Sequence, residues 1–173
     1  MNPVLAYRLA GLCAVFGGLL RVASGFAPGL LEGRALQGAY LATDVLLLFG
    51  LIGIYGFSRR PLGLMGLVGF ALSGIGVLVV RSAGTEVFGL QTYLIGATIW
   101  SVGMVALGVA MLLRGVGSRT AAALWILSLL VGIGGTLLPG QHLSFLIAGV
   151  AFSAGYIAAG WPLIVGRGGG DSS

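Results

Sequence analysis

From Thr120 to Gly166 the chain carries no charged side chain, and elsewhere charges come in small groups separated by long apolar runs. That spacing constrains the fold more than any other feature. A bilayer core asks for about 20 consecutive apolar residues per helix. Six stretches satisfy it, near residues 4–22, 39–57, 62–80, 88–113, 121–138 and 143–165. The breaks carry turn and charge signals: Ala27-Pro28-Gly29 with Glu32 and Arg34, Ser58-Arg59-Arg60-Pro61, Arg81 to Glu86, Arg114 to Arg119, and Leu138 to His142. Gly and Pro end helices at such junctions.

The sequence therefore predicts an all-α integral membrane protein, a bundle of six transmembrane helices filling residues 1–166, with 167–173 as a disordered cytoplasmic tail. Composition agrees. Of 173 residues 58% are hydrophobic and 8% charged, against roughly 25% charged in a soluble domain. A competing reading of the first run, Arg8 followed by apolar residues and Ala23-Ser24-Gly25, is a cleaved signal peptide. The apolar run extends to both sides of Arg8, which favours a retained helix.

Arginine placement sets the expected orientation. With the N-terminus inside, Arg8, Arg59, Arg60, Arg114, Arg119 and Arg167 face the cytoplasm, and Arg21, Arg34 and Arg81 lie outside beside Glu32, Asp44 and Glu86. Positive-inside asymmetry then puts both termini in the cytoplasm. The net charge of +5 belongs to that asymmetry, and no nucleic-acid partner is expected. The basic residues are all Arg and Asn occurs once, a bias of G+C-rich codons, so the expected location is a bacterial inner membrane.

The even-numbered runs share a register. Tyr40-Leu41, Tyr93-Leu94 and Phe145-Leu146 open them, and in that alignment Gly50, Gly103 and Gly155 coincide, as do Ser101 with Ser153 and Gly108 with Gly160. Three tandem helical hairpins, with parallel repeats, is the reading this period supports. Small residues four apart (Ala10, Ala14, Gly18; Ser128, Gly132, Thr136; Ala151, Gly155, Ala159) form stripes on which helices approach closely. They serve the bundle itself or, as a second use, a homo-oligomer in the lipid bilayer.

Asp44 is the most informative polar residue, expected about 8 Å inside the second run at 1.5 Å per residue. An acid at that depth needs a partner or a water-filled cavity. Arg21 and Arg81 close neighbouring runs on the same side, and with Glu86 and His142 they complete a candidate outer vestibule or ion pair. Trp100 and Tyr156 fall deeper and are candidates for lining a pocket. Tyr7, Tyr55, Trp125 and Trp161 are expected at the cytoplasmic headgroups, Tyr40 and Tyr93 at the outer ones, and Pro162 is expected to kink the sixth helix.

Much chemistry is excluded. No Lys is present for a Schiff base, Cys13 is single, and no metal, phosphate or nucleophile motif occurs. No cofactor, metal site or catalytic residue is expected. The first functional expectation is a small permease or channel-like protein with a polar outer vestibule. The alternative is a non-catalytic accessory or lipid-binding (hydrophobic-ligand-binding) membrane protein. A membrane enzyme acting on a lipid or quinone ranks last.

Overall fold

A computed structural model describes residues 3–26, 32–81, 86–87, 90–137 and 141–166. They form six helices: α1 Pro3–Ser24, α2 Gly33–Arg59, α3 Pro61–Arg81, α4 Thr92–Arg114, α5 Arg119–Thr136 and α6 Gln141–Val165. A two-residue antiparallel ladder, β1 Glu86–Val87 with β2 Leu90–Gln91, joins α3 to α4. Five helices are long and apolar enough to cross a membrane, and the apolar part of α5, Arg119–Gly135, is shorter. The expected tail lies outside the described residues.

Two boundaries differ by more than two residues from the sequence reading. The fourth helix starts at Thr92 instead of residue 88, because Leu90 and Gln91 pair with the preceding strand. The second starts at Gly33, six residues before the expected Ala39. Arg34 therefore stands in its first turn and Glu32 just before it.

The junction of α2 and α3 is tight. Pro61 stands two residues before the break in the helix, at Gly63, whose φ of 60° and ψ of −157° are non-helical. With no N–H to donate, Pro61 weakens the helical ladder just ahead of that break. Gly63 supplies a backbone conformation that is essentially closed to other residues.

Each helix packs on the next, and α6 returns to α1. Ala14 lies against Gly50 between α1 and α2, and Tyr55 stacks on Phe70 between α2 and α3, ring centroids 4.4 Å apart. Gly103 abuts Ser73 between α4 and α3, Gly108 faces Ala122 of α5, and Ser128 Oγ donates to the Ala148 carbonyl of α6 at 2.8 Å. Gly11 against Gly160, and Gly18 against the Ser153 backbone, close the circuit.

The even helices point inward. In the register that opens at Tyr40, Tyr93 and Phe145, five successive sets are buried on all three: Thr43, Gly96 and Ala148; Leu47, Trp100 and Phe152; Leu51, Met104 and Tyr156; Ile54, Leu107 and Ala159; Ser58, Met111 and Leu163. Spacings of four and three keep these positions on one helix face. Two sets make direct contact between α4 and α6. Trp100 meets Phe152 edge-on at 5.1 Å, and the Tyr156 hydroxyl lies 3.4 Å from Met104 Sδ. The three glycines of the register play the same part. Gly50 receives Ala14, Gly103 receives Ser73 and Gly155 receives Trp125, each from the preceding odd helix.

The outer side is apolar. Leu64, Leu78, Leu113, Leu130, Leu143 and Trp161 are each more than 60% exposed, and Leu5, Leu9, Phe16 and Leu19 line the outside of α1. A surface that apolar exceeds what a water-soluble monomer carries.

Candidate functional site

The end of the bundle that carries Arg21, Asp44 and Arg81 brings together most of the expected polar residues. Asp44 sits eleven residues into α2, about 16 Å from the helix start at 1.5 Å per residue, deeper in its helix than the sequence reading places it because α2 begins earlier. Arg81, the last residue of α3, donates from Nη1 to Asp44 Oδ2 at 2.9 Å. The carboxylate side is the more enclosed, with the Asp44 side chain 15% exposed and that of Arg81 39%. The pair ties α2 to α3.

Arg21 stands in the last turn of α1, as Arg81 does in α3. Its guanidinium Nη2 donates to the Tyr93 hydroxyl at 3.5 Å, a long bond. Among the described residues no carboxylate lies within salt-bridge distance of Arg21. Cations are favoured at helix C-termini, which accounts for both arginines being where they are. It does not account for one of them lacking a counter-ion among the described residues.

Beside Arg21 opens a cleft of about 290 Å³, lined by Arg21, Val22, Ser24, Tyr40, Tyr93, Phe145, Leu146, Gly149 and Val150. Its walls come from α1 and the three inner helices. Tyr40, Tyr93 and Phe145 are the residues that open the shared register, so the three equivalent aromatics converge on one cavity. Ser24 Oγ is occupied, donating to the Arg21 carbonyl at 2.8 Å. The cleft thus combines one cation and two phenol hydroxyls with an apolar wall.

Glu86 lies in β1 and His142 in the first turn of α6, but their side chains fall outside the described residues. Trp100 and Tyr156 come together without lining the cleft. The Trp100 indole Nε1–H donates to the Tyr156 hydroxyl at 3.1 Å, and both residues are buried. They stand seven and eleven positions beyond the residues that open the register, deep among the inner helices.

Trp125 corrects an expectation. The sequence places it at the cytoplasmic headgroups, but it is 1% exposed. Its indole covers Gly155 and meets Tyr156 edge-on at 5.8 Å, and its Nε1 has no hydrogen-bond partner among the described residues. Depth along a helix is legible in the sequence, whereas the direction faced by the ring is not. Gly155, whose missing side chain makes room for the indole, is the signal available. Trp161 does face outward.

Members of the small-residue stripes make contacts inside the chain. Ala10, Ala14 and Gly18 meet Gly53, Gly50 and Ser153; Ser128 bonds Ala148; Gly155 receives Trp125. Among the described residues no three His, Cys, Asp or Glu side chains gather as metal ligands would. No family model, no curated protein and no solved structure matches this chain.

Proposed function

We propose that this is a membrane-embedded bundle of three tandem hairpins (α1–α2, α3–α4, α5–α6) that binds a hydrophobic or amphipathic ligand at its Arg21 end, without catalysis. The convergence of Tyr40, Tyr93 and Phe145 with Arg21 around one cleft carries this reading. Ligand sites combine an apolar lining with a few fixed polar groups, and this cleft has both. The outward leucines support lipid surroundings, and the equivalent roles of Gly50, Gly103 and Gly155 support the repeat.

The orientation follows from charge. Arg8, Arg59, Arg114 and Arg119 are exposed at the end opposite the cleft, with no described acid beside them, whereas Glu32 and Asp44 accompany the arginines at the cleft end. The positive-inside rule supports both termini in the cytoplasm and a cleft that opens outward, and the Arg-only, Asn-poor composition supports a bacterial inner membrane. The small-residue stripes act as contacts within the bundle in this reading, with a homo-oligomer interface as a secondary use.

Gly149 gives the test. It lines the cleft, and a Cβ there would meet nothing within 4 Å. Gly149→Leu should therefore fill the cleft while leaving the bundle folded. Native mass spectrometry of the chain in lipid nanodiscs should show a retained lipid or apolar ligand that this variant loses. An unliganded wild type, or retention unchanged by Gly149→Leu, overturns the reading.

A permease is the second reading, favoured by the Asp44–Arg81 pair at the same end. It requires the packed inner sets below the cleft to part. It expects Asp44→Asn to abolish a proton- or cation-dependent flux in liposomes with the fold intact.

A further inference from the structure

Resting on the ligand-binding reading, we infer that the cleft selects an anionic lipid, with Arg21 holding the charged headgroup and Tyr93 and Tyr40 completing its polar contacts. Two arginines end odd helices on this side. Arg81 is neutralised by Asp44 at 2.9 Å, while among the described residues Arg21 has the Tyr93 hydroxyl at 3.5 Å and no carboxylate within salt-bridge distance. A guanidinium presents five donors in a fork suited to phosphate or carboxylate oxygens, and the hydroxyl of Tyr93 adds a donor directly beside it. Among the described residues no acid lies within salt-bridge distance of that fork.

Size and shape narrow the occupant. A volume of about 290 Å³ lies at the lower limit for small-molecule pockets, about 300–1,000 Å³, enough for a headgroup and its first methylenes but not for two acyl chains. Phe145 and Val150 line the cleft and are also 45% and 41% exposed, so they carry its apolar wall out onto the side of the bundle. An acyl chain can follow that wall into the surrounding lipid. A free inorganic anion would gain nothing from Leu146, Phe145 or Val150, which favours the lipid as the source of the anionic group.

The test is competitive loading of the detergent-purified chain with phosphatidylglycerol, phosphatidylcholine or inorganic phosphate, read by native mass spectrometry. The wild type should retain phosphatidylglycerol at roughly tenfold lower concentration than phosphatidylcholine, as one charge-assisted contact would give. Arg21→Gln should lose that preference and Arg21→Lys should keep most of it. Arg34→Gln, an exposed arginine at the same end but outside the cleft, should keep it entirely. Gly149→Leu should retain neither lipid, which tests the cleft without altering Arg21. An unchanged preference in Arg21→Gln, or equal loss in Arg34→Gln, overturns the inference. Displacement of lipid by inorganic phosphate alone overturns the lipid assignment. Equal retention of both lipids, abolished by Gly149→Leu, overturns the anionic selectivity and leaves ligand binding standing; retention of neither lipid by the wild type removes both readings.

Discussion

The indole of Trp100 and the hydroxyl of Tyr156, 56 residues apart in sequence, share a hydrogen bond of 3.1 Å between α4 and α6. The same hydroxyl lies 3.4 Å from Met104 Sδ, so one oxygen serves as acceptor on one side and donor on the other. Tyr156→Phe removes both contacts while keeping the ring against Phe152 and Trp125. Hydrogen bonds between membrane helices are worth about 0.6 kcal/mol on average and up to about 1.7. The variant should lose stability near the upper value, because the buried Trp100 N–H loses its acceptor. Thermal unfolding in detergent measures the loss, and an unchanged midpoint would mean the bond contributes nothing.

The register glycines should respond alike. A methyl group at Gly50, Gly103 or Gly155 collides with Ala14, Ser73 or Trp125 respectively. Each Gly→Val change is expected to cost about 1–3 kcal/mol or more, as overpacking does. At Gly74 and Gly134 a Cβ meets nothing within 4 Å, and the same substitution should be tolerated. Size-exclusion profiles of the five variants would separate the two groups, and uniform behaviour would count against the shared packing role.

Asp44→Asn should weaken the attachment of α2 to α3. The pair is half-enclosed, so the loss should exceed the about 0.2–1 kcal/mol of an exposed pair and stay below the about 3–5 kcal/mol of a fully buried one. The exchanged pair, Asp44→Arg with Arg81→Asp, should recover part of that loss. Unfolding titrations of the single and double variants decide it, and strict additivity would show that the two charges are uncoupled.

Gly63→Ala isolates a backbone cost. A Cβ at Gly63 meets only the Arg114 guanidinium, at an ordinary 3.7 Å, so crowding is minor. Its φ of 60° with ψ near −157° should still cost about 1–3 kcal/mol for a residue with a side chain. Protease sensitivity at the Arg59–Gly63 junction should rise with it.

Much of this architecture is written in the sequence because its signals are local. Apolar runs separated by Arg, Gly and Pro locate the six helices, and the repeated Tyr-Leu or Phe-Leu opening with one Gly ten residues later locates the inward register. The Asp44–Arg81 pair follows from which helix ends share a side. What stays hidden depends on helix rotation and on hydrogen bonds across a junction. The inward turn of Trp125 is set by the space over Gly155, and the late start of α4 by pairing of Leu90 with Val87. The cleft is hidden for the same reason, since Tyr40 and Tyr93 look like interface anchors until their neighbours are placed.

The contact of α1 with α6, where Gly11 lies on Gly160 and Gly18 on Ser153, bears on how the protein is made. Synthesis delivers α1 first among these helices and α6 last. For most of translation α1 has only α2 beside it, and its other flank lies open. Arg21 waits with it, because Leu146, Gly149 and Val150 arrive only with the sixth helix. The cleft therefore comes into being in the closing moments of assembly, and a chain stopped after α5 would carry its arginine with no cleft around it.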